Sequence, residues 1–148
     1  MFKKFLLLAS ACLMAIGPAV AAEKVKIGFV TTITTPAGVI GKDMVDAVNL
    51  AMEDIGGKMA GLDVELIVED DGFKPAIGKQ KTDKLVKQDK VQFVTGFIWS
   101  HVLLASQKSA LGAGKFLISS NAGPSQMAGK LCHKNFFSTS WQNDQTPM

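Results

Sequence analysis

Short apolar runs alternate along this chain with stretches in which apolar residues return every three or four positions. That alternation orders the chain into strands and helices. The run KVKIGFV over 24–30, bounded by the turn-rich TTITTPAG, predicts a first strand. From 41 to 55, Met44, Val48, Ala51, Met52 and Ile55 recur at helical spacing, with Lys42, Asp43, Asp46 and Glu53 on the other side. Gly56 and Gly57 close that helix. A second strand is predicted at LDVELIVED, 62–70, then a lysine-rich helix over 75–89 with Pro75 in its first turn. Only Ala76, Ile77, Leu85 and Val86 of that helix suit a core. A third strand at 91–97 leads to a helix at about 101–112, with Leu104, Ala105 and Leu111 inward. A fourth strand at 115–119, a short helix at 124–130 and a fifth strand at 135–140 follow.

Strand–helix alternation with short apolar strands predicts an α/β fold, a doubly wound parallel sheet covered on both faces with right-handed crossovers. In such sheets ligands lie outside the carboxyl ends of the strands. The segments there are 31–41, 70–73, 97–101, 119–124 and 139–144, and they gather hydroxyls, glycines and aromatics. The opposite loops at 56–61 and 89–90 read as plain turns.

Candidate chemistries on that rim narrow quickly. Ser100 and His101 suggest a nucleophile and its base, but adjacent side chains diverge and the G-x-S-x-G elbow is missing. Ser100 reads instead as the cap of the helix at 101, alone or while also touching a ligand. GVIGKD at 38–43 fails the Walker A pattern, with Pro36 and Asp43 where glycine and a hydroxyl residue are needed. The carboxylates of Glu69, Asp70 and Asp71 alternate in direction and lack EF-hand spacing. No catalytic residue, metal ligand or cofactor is assigned. What remains is a ligand rim whose predicted helix starts near Gly41, Ser100 and Gly123 offer free N–H groups to a carboxylate. SSNAGP at 119–124 adds hydroxyls, an amide and backbone. Trp99 either covers a ligand or packs inside the domain.

The chain's ends and charge add a destination. MFKKFLLLASACLMAIGPAVAA, residues 1–22, has a basic start, an apolar run, the Gly17-Pro18 break and an A-x-A site before Ala22, the pattern of a secretory signal peptide. The formal charge of +3 falls to about +1 without Lys3 and Lys4, and it is interspersed, which gives no case for nucleic acid. Every basic side chain is lysine, so a bidentate guanidinium fork is excluded as an anion holder. Cys132 is the one cysteine left after the leader, and TSWQNDQTPM stops at what looks like a helix start, so the chain reads as a fragment.

Taken in order, KIGFVTTITTPAGVIGKDMVDAVNLAMEDIGG, LDVELIVEDDGFKP, VTGFIWS, LISSNAGP and FFSTSWQNDQTPM resemble the type I periplasmic solute-binding proteins of ABC importers. The nearest group is the branched-chain amino acid (leucine-binding) proteins. The resemblance implies two α/β lobes that close on a ligand. Residues 23–148 would be the leading part of the first lobe, with the second lobe and any partner of Cys132 further on. It also implies a head-group contact at Ser100 and backbone contacts from Asn121, Ala122 and Gly123, glycine standing where the family often has threonine. Trp99 beside Ser100 suggests a flat or bulky ligand such as an aromatic acid, and Thr35 with the rest of the 34–38 loop would shape the pocket. Trp141 and Asp144 are outer candidates. The implied function is capture of a small amino acid or organic acid in the periplasm by a monomer that hands it to an inner-membrane ABC permease. A ligand-sensing receptor domain and a secreted serine hydrolase stay as alternatives.

Overall fold

The computed structural model describes residues 23–145. The expected signal peptide lies outside the described residues, as do Thr146 and Pro147 of the helix start expected from Asp144 onward. The elements are β1 (Val25–Thr31), α1 (Gly38–Asp54), β2 (Lys58–Met59), β3 (Leu62–Asp70), α2 (Pro75–Lys87), β4 (Phe93–Gly96), α3 (Ser100–Leu111), β5 (Phe116–Ser119) and β6 (Phe136–Ser138). Two 3-10 turns, Ser125–Ala128 and Asn143–Gln145, complete them. The sheet order is β2-β3-β1-β4-β5-β6. Every pairing is parallel except the short β2–β3 hairpin.

Alternation along β1 divides the two faces. Gly28 and Val30 point to α2: a Cβ on Gly28 would lie 2.8 Å from Leu85 Cδ1, and Val30 shares one core with Leu85, Val94, Leu103 and Leu117. Helices α2 and α3 cover this face together. Gly78 permits their close approach, since a Cβ there would overlap the Val102 side chain. The other face carries Phe29 and Thr95, which border a hollow of about 340 Å³ with Met44, Ala47, Val48 and Asn121. Helix α1 therefore lies on the opposite side of the sheet, and the fold is doubly wound as expected.

Four expectations need correction. The loop at 56–61 is not a plain turn: Lys58 and Met59 pair with Asp63 and Leu62 around a two-residue turn in which Ala60 and Gly61 both have positive φ. In α1, Ala51 and Ile55 face solvent rather than core, because α1 is the one helix on its face and no second helix flanks it among the described residues. In α2, Ala76 is exposed and Thr82 is buried in its stead, its hydroxyl donating to the Gly78 carbonyl. In α3 the buried stripe is Val102, Leu103, Ser106, Gln107, Ala110 and Leu111, with Leu104 and Ala105 only half-buried. This helix packs on both α2 and β5, which turns its inward face by about one residue.

Candidate functional site

The carboxyl end of β4 turns sharply. Gly96 has φ +98°, where a Cβ would overlap the Val30 carbonyl, and Phe97 follows at φ +60°. Phe97 is fully buried and its N–H donates to the Val30 carbonyl at 2.6 Å. That corner lifts Trp99 and Ser100 to the rim.

Ser100 is not the cap of α3. Trp99 holds the N-cap position in extended conformation, and no side chain caps the helix. The Trp99 carbonyl accepts the N–H groups of Val102 at 3.1 Å and Leu103 at 3.0 Å. The N–H groups of Ser100 and His101 have no partner among the described residues, so the positive end of α3 is open at the rim. The Ser100 hydroxyl accepts a hydrogen bond from Asn143 Nδ2 at 3.0 Å. The His101 ring instead packs edge-on against Phe73, with centroids 5.1 Å apart. The serine thus faces an amide and not an imidazole.

Most polar groups of the 119–123 segment are consumed inside the fold. The Ala122 N–H donates to the Phe97 carbonyl at 3.0 Å, and its own carbonyl accepts the Ser119 hydroxyl. Ala122 is therefore structural and not the exposed backbone donor that its neighbours suggested. Asn121 Nδ2 donates to the Ile98 carbonyl at 3.0 Å and the Ser120 hydroxyl to the Gly96 carbonyl at 3.2 Å. Gly123 lies beneath the 141–143 strand of chain: a Cβ there would overlap the Trp141 carbonyl, and the Gly123 carbonyl accepts the Asn143 N–H at 2.7 Å. Its own N–H has no partner among the described residues. Asn143, which sequence reasoning did not single out, thus joins Ser100 to Gly123. Trp141 is 55% exposed beside this junction, and Asp144 is exposed too.

The 31–38 loop is held by carboxylates from the end of β3. Asp70 accepts the Ile33 N–H at 2.9 Å, the Gly72 N–H at 2.9 Å and the Thr34 hydroxyl. Burial raises its carboxyl, but those hydrogen bonds outweigh it and leave Asp70 below the usual carboxylate range. Thr35 accepts the Gly38 N–H on its carbonyl at 2.7 Å, and its buried hydroxyl has no partner among the described residues. Next to it, Asp71 is fully buried and accepts the Thr32 hydroxyl and the Phe73 N–H. Trp99 is half-buried against the core; its Nε1–H donates to the Thr32 hydroxyl at 2.9 Å. Phe73, at φ +66° and 45% exposed, stands edge-on to the Trp99 ring at 4.8 Å. Thr32, Asp71 and Phe73 were missed because the only signal in the sequence was their position after strands.

The structure therefore brings Trp99, Ser100, Asn121, Ala122, Gly123 and Thr35 to one end of the sheet, with different freedoms. The unpaired donors at Ser100 and His101 suit an anion, Gly123 being buried under the 141–143 segment, and the half-buried indole supplies an apolar wall. Among the described residues no cluster of three or more His, Cys, Asp or Glu is placed to hold a metal ion, and Cys132 is an exposed free thiol.

Comparison with known proteins bears on this rim. A family described as "Periplasmic binding protein" matches residues 24–148. A search among curated proteins finds no match. Among solved structures, an ABC transporter substrate-binding protein from Sphaerobacter thermophilus is similar at TM-score 0.79 and 29% identity, covering 83% of this chain and 34% of that one. A solute-binding protein of an R. palustris ABC transporter, in complex with benzoate, matches at TM-score 0.79 and 27% identity, covering 83% and 34%. The branched-chain amino acid transporter substrate-binding protein of Streptococcus pneumoniae, in complex with isoleucine, matches at TM-score 0.74 and 26% identity, covering 81% and 34%. The chain thus spans about a third of the length of these solved relatives. With the family pattern matched from residue 24 onward and the fold shared with substrate-binding proteins of ABC transporters, the chain belongs to the periplasmic binding protein family.

Proposed function

We propose that residues 23–148 form the leading part of the first lobe of a periplasmic receptor, delivered by the leader at 1–22. The receptor captures a small organic acid or amino acid and presents it to an inner-membrane ABC permease. Its action is non-covalent: the ligand bridges this lobe and a second one, and closure commits it to transport. The mature receptor works as a monomer.

The observation that carries this reading is the open start of α3. Two backbone N–H groups, Ser100 and His101, are left without partners where a parallel sheet places its ligand crevice. In a chain without arginine, these donors and the Ser100 hydroxyl are suited to holding a carboxylate. Relatives found with isoleucine and with benzoate share a carboxylate and differ in the rest.

Calorimetric titration of the mature protein with isoleucine and with benzoate tests it. Binding of at least one carboxylate is expected, and Ser100→Ala lowers that affinity about tenfold, as loss of a hydrogen bond to a charged group does. Absence of heat with both ligands, and with a wider set of amino acids and aromatic acids, counts against the proposal.

A further inference from the structure

Residues 139–145 cross the rim as a strap, and few contacts hold them down. At one end Thr139 gives its N–H and its hydroxyl to the Ser119 carbonyl, at 3.0 and 3.3 Å. At the other, Asn143 fastens two segments at once. Its N–H donates to the Gly123 carbonyl at 2.7 Å and its Nδ2 to the Ser100 hydroxyl at 3.0 Å. Between these ends, the one hydrogen bond to the body of the fold among the described residues runs from the Ser138 hydroxyl to the Ser140 carbonyl at 3.2 Å. The far end is a turn closed on itself: the Gln145 N–H donates to the Gln142 carbonyl at 3.0 Å, and the Gln142 N–H to Gln145 Oε1 at 2.9 Å. It can therefore shift as a unit. Thr139, Trp141, Asn143 and Gln145 are exposed, so water competes for the fastenings.

The closed strap also leaves polar groups unmet. It passes so close over Gly123 that a Cβ there would overlap the Trp141 carbonyl, and the buried Gly123 N–H beneath it has no partner among the described residues. The Ser140 hydroxyl, on the strap itself, is buried without a partner too. Each such group carries a cost that hydration removes. A hollow of about 220 Å³, lined in part by Gly123, Ser138 and Gln142, adjoins the strap, so no packed core wedges it in place. Exposed hydrogen bonds hold the closed state and two unmet buried groups oppose it, which is the balance of a segment that opens locally.

We propose that residues 139–145 are a strap poised to open, and that the Asn143 side chain, through Ser100, is the clasp that sets how often it does. Opening uncovers the Gly123 N–H and releases the Ser100 hydroxyl together, so one residue governs access to both. The inference goes beyond the capture proposed above, because the strap works in the protein alone, whether or not a carboxylate binds.

Amide hydrogen exchange of the mature protein, read residue by residue by NMR, tests it without any ligand. The Gly123 amide is compared with those of Phe97 and Leu117, which are buried and bonded at 2.6 and 2.9 Å to the Val30 and Asn135 carbonyls. In the unaltered protein Gly123 is expected to exchange more slowly than a free peptide and faster than either reference. Asn143→Ala and Ser100→Ala should each speed Gly123 about fivefold, the scale of one exposed hydrogen bond, and leave both references unchanged. The double variant should be no faster than either single one, since both remove the same pair. Exchange of Gly123 at the rate of Leu117 in all four proteins overturns the proposal, because the strap then opens only when the whole fold does. Exchange at the free-peptide rate in the unaltered protein overturns it as well, the strap then never being shut. Acceleration shared by Leu117, or effects that add in the double variant, removes Asn143 as the clasp. None of these outcomes touches the carboxylate reading, and failure of every carboxylate to bind leaves the strap standing.

Discussion

Gly123 shows how one position can serve the rim by having no side chain. A Cβ there would overlap the Trp141 carbonyl, and the Gly123 carbonyl holds the Asn143 N–H. Gly123→Ala must therefore push the 141–143 segment outward, and it is expected to cost about 1–3 kcal/mol in urea denaturation, the range for overpacking. Trp141 emission should change in the same variant, since its backbone is the displaced group. An unchanged midpoint would mean the segment is free to move. The residues of this rim were legible in the sequence as a set, because they follow strand ends. Their individual roles were not. Asn121 bonds Ile98 across 23 positions and Ser100 meets Asn143 across 43, and periodicity carries no information over such separations. Ser100 looked like a cap because serine commonly is one; Trp99 takes the cap position since β4 turns its corner a residue earlier than the apolar run suggested.

At the scale of elements, apolar runs marked the strands well, and β3 begins and ends where the run does. The hairpin of β2 escaped because two residues are too few to show a period. Helix α2 docks through Leu85, fully buried against Gly28, so Leu85→Ala is expected to destabilise by about 2–5 kcal/mol in thermal or urea unfolding. The outer side of α2 is held by charge. Asp83 pairs with Lys79 at 2.6 Å and Lys87 at 3.1 Å, one turn away on either side. The hydrogen bond from Lys79, above all, and that from Lys87 lower its carboxyl from 3.8 to about 2. A group whose pKa is depressed on folding stabilises the native state above its unfolded pKa, and that stabilisation is lost as pH falls through the folded one. Stability should therefore decline between about pH 4 and pH 2, and Asp83→Asn should lessen the decline. Denaturation at several pH values in that window measures it, and added salt should shrink the difference because both lysines are exposed. A pH dependence identical in the variant would assign the decline to Asp63, Glu69 and Asp70, whose carboxyls are also lowered.

At the largest scale, residues 23–145 are asymmetric about their sheet. One face is sealed by α2 and α3 over a continuous core. On the other, α1 keeps only Gly38 and Gly41 buried, while Leu50 is 60% exposed. Beside it Phe93 stacks on Phe116 at 5.5 Å, and Phe116 meets Phe137 at 6.2 Å, a row of rings across β4, β5 and β6. Phe116 and Phe137 are 41% and 51% exposed. Such a row holds the strands in register through cross-strand contact, yet it presents apolar surface that water solvates poorly. A polypeptide of residues 23–148 is accordingly expected to bind a hydrophobic dye and to associate with itself at micromolar concentration. Dye fluorescence and sedimentation velocity read the two effects. The double substitution Phe116→Lys and Phe137→Lys should reduce both, with the far-ultraviolet spectrum unchanged, since neither ring belongs to the core that α2 and α3 seal. Should association persist undiminished in that variant, the surface responsible would instead be the apolar outer side of α1, where Val39, Leu50 and Ile55 are the exposed residues to replace.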